Sequence, residues 1–207
     1  MTRTTLLSAA ATFAILELIL IWLVWTGRVE TFDFQLRLAV LALDPPSAVK
    51  IWRIITFLGS GIFITALTLV SITILAARAE WQAFKYLTAV MIGAVGMETG
   101  LKLIVHRSRP DEVFANTMPS SYSFPSGHAL FAMAFYSGVA MIFVPRLNAI
   151  VRPSFWVVAV LLIILIGASR IFLGVHYPTD VLGGYIVAAF WLIVVQLLLP
   201  PNRSASG

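Results

Sequence analysis

The sequence predicts an all-α integral membrane protein, a bundle of six transmembrane helices with an interfacial helix between helices one and two. Of the 207 residues, 60% are hydrophobic and only 11% are charged, whereas a soluble domain carries about 25% charged residues. The apolar residues also fall into six runs, each close to the roughly 20 residues that a membrane-spanning helix needs. No polar stretch is long enough for a second domain, so we predict a single membrane domain over residues 1–207.

Charge and cysteine content exclude several classes of partner and site. The net charge of +5 is scattered along the chain, without the basic block typical of nucleic-acid binding, so we expect no nucleic-acid partner. The chain contains no cysteine, which excludes disulfide bonds, a thiolate nucleophile and thiolate metal ligands. The bilayer is an expected partner, because scattered basic side chains can attract anionic lipid head groups.

The first apolar run and the segment after it differ in character. Residues 4–25 would form a helix about 33 Å long, enough for a hydrocarbon core of about 30 Å. No small-residue cleavage pattern follows Trp25, which favours an anchored helix over a signal peptide. Glu17 inside this run is expected to pack against another helix. Between residues 27 and 53, apolar and charged residues alternate until Pro45-Pro46, which favours a helix lying on the membrane surface.

Five further runs complete the predicted bundle, at about residues 54–77, 86–105, 128–144, 153–169 and 179–199. Small residues that favour close helix packing occur in the second and third spans, at Gly59, Ser60, Gly61, Gly93, Gly96 and Gly100. Glu98 and Lys102 are four residues apart on the third span, which predicts an ion pair on one helix face.

The loop charges predict the orientation of the bundle. Six spans place both termini on one side of the membrane, and that side carries basic residues in mostly short segments: Arg3, Arg78, Lys85, Arg146, Arg152 and Arg203. Because basic loops stay in the cytoplasm, we predict cytoplasmic termini, with the opposite helix ends facing away from the cytoplasm.

Three polar clusters interrupt the apolar pattern: KLIVHRSRP at 102–110, PSGH at 125–128, and SRIFLGVHYPTD at 169–180. The first follows the end of the third span, and the second begins the fourth. The last joins the end of the fifth span to the start of the sixth. In an antiparallel bundle these four helix ends emerge on the same side. The clusters are therefore predicted to converge.

The residue types in these clusters suit a phosphate group. Lys102, Arg109 and Arg170 supply three positive charges, and the planar fork of arginine matches phosphate oxygens. Lys102 has the alternative of serving only as the structural partner of Glu98. His106 is expected to be a loop residue and Arg107 a solvated or head-group contact.

The start of the fourth span predicts a second group of phosphate ligands. Ser126 is expected to cap this helix, so that the backbone N–H groups of Gly127 and His128 point at an anion. Glycine at position 127 would allow the backbone to approach the anion closely.

Two histidines add phosphoryl-transfer chemistry. Asp180, four residues after His176, would hold that imidazole in one tautomer and make it a better nucleophile toward phosphorus. His128 would protonate the leaving alkoxide and then activate water. Asp111, Glu112 and Asp180 are the only carboxylates near this face and do not resemble a two-metal site. We therefore predict no metal and no cofactor.

The three motifs together resemble the signature of the type-2 phosphatidic acid phosphatase superfamily, as K-x6-RP, PSGH and SR-x5-H-x3-D. The resemblance implies a site that faces away from the cytoplasm. It also implies a phosphohistidine on His176, an acid in His128 and a partner for the nucleophile in Asp180. The implied phosphate ligands are Lys102, Arg109, Ser126, Gly127 and Arg170.

The sequence thus predicts a metal-independent phosphatase that acts on a phosphorylated lipid, such as phosphatidylglycerophosphate or phosphatidate. The expected location is the bacterial inner membrane, with the site on the extracytoplasmic side. Alternatives are an undecaprenyl pyrophosphate phosphatase, a lipid phosphotransferase and a catalytically inactive lipid-binding relative. A small anion transporter is the alternative from another class, and it would need charges and broken helices near the bilayer midplane. The oligomeric state is left open.

Overall fold

The computed structural model describes residues 2–42, 48–110 and 121–201, and these residues contain helices but no strand. The helices are α1 (Arg3–Trp25), α2 (Glu30–Ala42), α3 (Val49–Phe57), α4 (Gly61–Ala77), α5 (Trp81–Val105), α6 (Gly127–Phe143), α7 (Val151–Phe172) and α8 (Pro178–Leu198). Within the described residues, six spans are long and apolar enough to cross a membrane, with α3 and α4 forming one of them. The predicted all-α class with six spans is confirmed. Pro45-Pro46, Asp111, Glu112 and Arg203 lie outside the described residues.

The bundle is built around α6 and α8. Small residues on both helices allow a close approach, and a Cβ atom added at Gly184 would lie 2.8 Å from the Ser126 carbonyl oxygen. Helices α5 and α7 flank α6, while α1 packs on α8. The core between α5, α6 and α8 is fully apolar where they meet, with Leu87, Val90 and Leu130 completely buried. This packing fixes the start of α6 beside the start of α8.

The second span starts earlier than predicted and is broken. It runs from Val49 rather than from about residue 54, and a turn at residues 58–60 interrupts it between α3 and α4. Ser60 caps α4 by accepting a hydrogen bond from the Phe63 N–H at 3.3 Å. This serine therefore begins a helix, whereas the sequence predicted that it would pack against another helix. Gly59 does pack closely, because an added Cβ would collide with Ile166. Helix α3 in turn stacks Trp52 on Phe172 of α7, with ring centroids 4.1 Å apart.

The predicted glycine face of the third span is only partly used. Gly93 lies directly against the Trp191 ring, whereas Gly96 and Gly100 have no atom within 4 Å of an added Cβ. Gly100 lines a cavity of about 400 Å³ between α1, α5 and α8, and Gly96 is exposed. Glu17 also lines this cavity. It is buried as predicted, but both of its carboxyl oxygens lack a hydrogen-bond partner.

The predicted helix between the first and second spans is present as α2, and its buried side is polar. Asp33 is completely buried and Arg37 is nearly so, while Phe32 and Phe34 are more than half exposed. Helix α2 contacts α7 and α8. It therefore turns Asp33 and Arg37 toward the bundle and its aromatic residues outward, as suits a helix lying on the membrane surface.

Candidate active site

The helix ends that carry the three motifs meet at one end of the bundle and enclose a cavity of about 210 Å³. The predicted site residues that line it are Lys102, Arg109, Gly127, His128, Arg170 and His176. Residues without a predicted site role also line it: Gly61, Glu98, Ser121 and Phe131. Ser126 and Asp180 stand behind its wall, where both are fully buried. The predicted convergence of the clusters is therefore observed.

His176 lies at the cavity with both ring nitrogens engaged. Its Nε2 is 3.2 Å from a guanidinium nitrogen of Arg109. Because arginine can only donate, Nε2 is the acceptor and the ring proton sits on Nδ1, which is 3.4 Å from Asp180 Oδ2. Burial lowers the pKa of His176 to about 4, against the opposing hydrogen bond and charge of Asp180. The imidazole is therefore neutral at pH 7, as the predicted role of nucleophile requires.

Asp180 has more partners than the predicted histidine. Its Oδ2 accepts the Ser123 hydroxyl at 2.5 Å and the Tyr177 N–H at 2.9 Å, and its Oδ1 accepts a guanidinium N–H of Arg107 at 2.7 Å. The Ser123 hydroxyl is also 3.3 Å from His176 Nδ1. The serine therefore takes part in the link between carboxylate and imidazole, a role that the sequence motifs do not indicate.

Three cations surround the cavity, and two of them, Lys102 and Arg109, share Ser121 as a partner. Lys102 Nζ lies 2.7 Å from Glu98 Oε1, as the spacing predicted, and 3.1 Å from the Ser121 hydroxyl. Arg109 donates to the carbonyl oxygens of Ser121 and Val175, both at 2.8 Å. Burial lowers the pKa of Arg109, with the charges of Asp180 and Glu98 opposing.

Arg170 is the third cation, and it approaches the cavity from α7. One of its guanidinium nitrogens donates to Thr56 Oγ1 at 2.5 Å, while its Nε is buried without a hydrogen-bond partner. Thr56 lies at the end of α3, 114 residues away in the chain. Nothing in the sequence motifs pairs these two residues, so the contribution of α3 to the site emerges only from the fold.

Ser126 occupies the N-cap position of α6, but the predicted side-chain cap is wrong. Its hydroxyl makes no hydrogen bond to the helix and is buried without a partner. Its backbone N–H donates instead to the Asp180 carbonyl oxygen at 2.9 Å, because α8 packs against this turn. The first N–H groups of any helix lack a partner within the helix, so those of Gly127 and His128 remain directed toward the cavity end of α6. An added Cβ at Gly127 would come within 2.9 Å of Glu98 Oε1.

The prediction that Arg107 is a solvated or head-group contact is wrong. Its side chain is 11% exposed and forms ion pairs with Asp33 at 2.6 Å and Asp180 at 2.7 Å. Burial by itself would lower the pKa of Arg107, but the charges and hydrogen bonds of Asp180 and Asp33 raise it. The sequence gives no sign of the pair with Asp33, which lies 74 residues away. His106 is a loop residue as predicted, ending α5 and packing edge-on against Tyr122.

The donor set of the site does not resemble a metal centre. Across residues 2–42, 48–110 and 121–201, no group of three or more His, Cys, Asp or Glu side chains could hold a metal ion. Glu98 is the only carboxylate lining the cavity in this part of the chain, and it is paired with Lys102. The absence of a metal cofactor stays a prediction.

Comparison with known proteins gives the family. The family model described as "PAP2 superfamily" matches residues 82–204, the part of the chain that carries all three motifs. Phosphatidylglycerophosphatase B of Bacillus subtilis (strain 168) is 30% identical over 183 residues, which cover 86% of this chain and 89% of that protein. The chain belongs to the PAP2 superfamily.

Other relatives and solved structures agree with this assignment. The crystal structure of the transmembrane PAP2 type phosphatidylglycerolphosphate phosphatase from Bacillus subtilis matches with a TM-score of 0.81 at 28% identity, covering 90% of this chain and 94% of that one. The lipid A 1-phosphatase of Rhizobium etli is 27% identical, covering 56% of this chain and 49% of that protein. The undecaprenyl-diphosphatase of Sulfolobus acidocaldarius is 26% identical, covering 51% and 47%. The chain is therefore an integral membrane lipid phosphatase, a phosphoric monoester hydrolase.

Proposed function

We propose that the chain removes the phosphate of a phosphorylated lipid through a phosphohistidine on His176, without a metal ion, at the extracytoplasmic face of the membrane. One observation carries the proposal. A single cavity of about 210 Å³ brings two imidazoles, His128 and His176, together with the cations Lys102, Arg109 and Arg170. Such a cavity can hold a phosphate between a nucleophile and an acid.

The proposed phosphate ligands are the three cations and the N-terminal turn of α6. Lys102, Arg109 and Arg170 would neutralise the dianion, and the free N–H groups of Gly127 and His128 would donate to its oxygens. These groups are held in place before the substrate arrives. They would also stabilise the charge that spreads over the equatorial oxygens in the transition state. The remaining proposed ligand is Ser126, whose unpartnered hydroxyl lies behind the cavity wall.

The proposed reaction has two displacements at phosphorus. In the first, Nε2 of neutral His176 forms a bond to phosphorus while the bond to the lipid oxygen breaks, and His128 gives its proton to that oxygen. Asp180 stabilises the positive charge that develops on the imidazole. In the second, His128 takes a proton from water, the water oxygen bonds to phosphorus, and the bond to His176 breaks. Inorganic phosphate leaves and both histidines return to their starting states.

The cations of the site support a mechanism without metal. A metal ion in phosphoryl transfer neutralises developing charge and orients oxygens, and the three cationic side chains can do both. The paired Glu98 is a poor metal ligand because binding a metal would require breaking its ion pair with Lys102.

A glycerophospholipid is the substrate class that we infer. The similarity to a phosphatidylglycerophosphatase extends over 86% of the chain, against 51% for the undecaprenyl-diphosphatase. Phosphatidylglycerophosphate is therefore the first candidate and phosphatidate the second. Undecaprenyl pyrophosphate, and transfer to another lipid instead of water, remain the alternative reactions.

The enzymatic class is preferred to an anion transporter for a structural reason as well as for family membership. A transporter would need its broken helix near the bilayer midplane. The break between α3 and α4 lies instead beside the helix ends, where Gly61 lines the same cavity as His128. The cations likewise lie at helix ends.

A phosphate-release panel with purified protein in detergent tests the proposal. We expect release from phosphatidylglycerophosphate to be fastest, followed by phosphatidate, with slower release from undecaprenyl pyrophosphate and lipid A. Excess EDTA should leave the rate unchanged. The His176→Ala variant, shown to be folded by size-exclusion chromatography, is the control and should release nothing. Activity that EDTA abolishes and a divalent ion restores would contradict the metal-independent mechanism.

A further inference from the structure

A buried charged network connects the surface helix α2 to the residue behind the proposed nucleophile. Arg107 lies between two carboxylates, Asp33 of α2 at 2.6 Å and Asp180 of α8 at 2.7 Å. Both carboxylates are completely buried. Thr179 completes the network, because its N–H and its hydroxyl both donate to Asp33, at 3.0 and 2.6 Å. Arg107 thus donates one N–H to each of the two carboxylates, and charge-assisted hydrogen bonds of this kind help to fix the orientation of both groups.

We infer that Arg107 and Asp33 are positioning residues for the reaction. Arg107 orients Asp180 and weakens the attraction of this carboxylate for the His176 proton. Asp33 pairs with the same guanidinium, so that Asp180 is not its only partner. The inference deepens the proposed function and rests on its assignment of His176 as nucleophile. Neither residue lines the cavity of about 210 Å³, so both would act through Asp180.

The geometry gives Arg107 control over which oxygen of Asp180 faces the imidazole. Arg107 occupies Oδ1, so Oδ2 is left for His176, Ser123 and the Tyr177 N–H. Asp33 holds Thr179, the residue directly before Asp180, and so fixes the first turn of α8. Loss of the hydrogen bond from Arg107 to Oδ1 would let the Asp180 carboxylate rotate away from His176.

The charges give the network a second effect. The ionisable groups that face His176 from the surrounding elements are Asp180, Arg109, Arg170, His128, Lys102 and Glu98, with Arg107 and Asp33 behind Asp180. Arg107 is the only one of these cations bonded to Asp180 itself in the described part of the chain. Without it, the carboxylate would attract a proton to the His176–Asp180 dyad at higher pH. Without the charge of Asp33, Arg107 would oppose Asp180 more strongly.

The two residues therefore have opposite expected effects on the pH dependence of kcat/KM. The protonated dyad cannot attack phosphorus, so activity falls as pH drops through the dyad pKa of the free enzyme. In the Arg107→Met variant, this acid limb should move upward by about 1–3 pH units, the range for loss of a neighbouring charge. In the Asp33→Asn variant, it should move lower, because Arg107 then opposes Asp180 more strongly. A residue that only supported the fold would not produce opposite shifts.

The experiment measures phosphate release from dioctanoyl phosphatidate between pH 3 and 8, a range that extends below the His176 pKa of about 4. It compares wild type, Arg107→Met, Arg107→Lys, Asp33→Asn and the double variant Arg107→Met with Asp33→Asn. Arg28→Met is the matched control, because Arg28 lies near the same end of the molecule but stacks on Trp22, at 4.6 Å from the ring centroid. This control should keep the wild-type profile. Thermal unfolding of each purified variant is measured in parallel.

The double variant separates positioning from folding. Arg107→Met alone leaves two buried carboxylates without their cation, which destabilises a protein strongly. Removing the Asp33 charge as well should recover part of the melting temperature, but the acid limb should stay high because Asp180 still lacks its cation. If the double variant recovered the wild-type pH profile together with its melting temperature, the inference would be overturned.

The remaining outcomes are also decisive. If the double variant does not fold, the Arg107→Lys variant decides. Lysine keeps the charge but lacks the planar fork that reaches both carboxylates. We therefore expect kcat to fall by a factor of about 10–10², as misplacement of a catalytic group does, with little change in the acid limb. A wild-type kcat in Arg107→Lys would overturn the inference. His176→Ala tests the proposed function separately. Turnover by that variant would remove the nucleophile, whereas an inactive His176→Ala together with a wild-type profile in Arg107→Met would refute the positioning role alone.

Discussion

His128 and His176 reach the cavity from different helix starts, and the proposed mechanism gives them different tasks. His176 needs to be neutral to attack, and its burial keeps its pKa near 4. His128 needs to carry a proton when the lipid oxygen leaves, and a bound phosphate dianion beside it would supply the negative charge that favours this state. The bound phosphate would thus favour the protonated state of His128, which the departure of the lipid oxygen requires.

The role of His128 as acid can be tested by the choice of leaving group. In the His128→Ala variant, we expect phosphate release from an alkyl ester such as phosphatidate to fall by a factor of about 10²–10⁴, the usual contribution of a positioned acid or base. With p-nitrophenyl phosphate the first step needs no acid, because nitrophenolate leaves unaided. This variant should then release a burst of about one nitrophenolate per enzyme, followed by slow turnover, in a stopped-flow absorbance measurement.

Two results would contradict this assignment. One is an equal loss of the first step with both substrates, which would indicate that His128 binds phosphate rather than transfers a proton. The other is a His176→Ala variant that still gives the burst. The wild type, with both histidines, should show no separate slow phase after the first turnover.

The sequence could predict only those site residues that lie close to one another along the chain. Lys102, Arg109 and His128 lie in short motifs at helix ends, and an antiparallel bundle is sufficient to bring such ends together. Asp33 and Thr56 could not be found in this way, because they reach Arg107 and Arg170 from 74 and 114 residues away. Their positions depend on how α2 and α3 fold back over the bundle.

At the scale of elements, the contact between α6 and α8 sets the geometry of the site. Gly184 of α8 allows the backbone of α6 to approach within contact distance at Ser126, and the Ser126 N–H donates to the Asp180 carbonyl at 2.9 Å. His128 is two residues farther along α6, and His176 four residues before Asp180. A change in helix separation here would therefore change the distance between the two imidazoles.

Gly184→Ala tests this contact. The added methyl group would lie 2.8 Å from the Ser126 carbonyl oxygen, and overpacking of this kind costs about 1–3 kcal/mol. We expect a lower melting temperature in detergent and a reduced kcat, because α6 must shift. Gly96→Ala is the matched control: nothing lies within 4 Å of its added Cβ, and alanine in a helix interior is favoured over glycine by about 0.5–1 kcal/mol. Equal melting temperatures and rates in both variants would contradict the proposed contact.

The order and approximate bounds of the helices could be predicted because long apolar runs have one common solution in a membrane. The break in the second span could not. Gly59 and Gly61 flank Ser60, and such a run of small residues is compatible both with close packing and with a new helix start. The fold resolves the ambiguity residue by residue: Gly59 packs against Ile166, Ser60 caps α4, and Gly61 faces the cavity.

At the scale of the whole molecule, the two ends of the bundle differ in chemistry. The site end holds the cavity and the buried network around Asp180. The opposite end is closed by contacts between loops, including the Arg146–Glu80 ion pair and the hydrogen bond from Gln82 to the Pro200 carbonyl oxygen at 2.9 Å. The basic residues of that end are the basis for proposing that it faces the cytoplasm.

Single-cysteine labelling tests the orientation without a background, because the chain has no cysteine of its own. Thr26→Cys places an exposed thiol at the site end, after α1, and Ala149→Cys places one at the opposite end, before α7. With a membrane-impermeant maleimide on intact spheroplasts, we expect labelling of position 26 only. Position 149 should react after permeabilisation. The reverse pattern would place the site in the cytoplasm.

The most direct test of the whole account is identification of the covalent intermediate. Purified His128→Ala enzyme is mixed with p-nitrophenyl phosphate, quenched in alkali and analysed by peptide mass spectrometry. The control is the double variant His128→Ala with His176→Ala. We expect about one phosphate per chain on His176, in a linkage that survives alkali and is lost in acid. Phosphate on another residue, or phosphate on the control, would contradict the account.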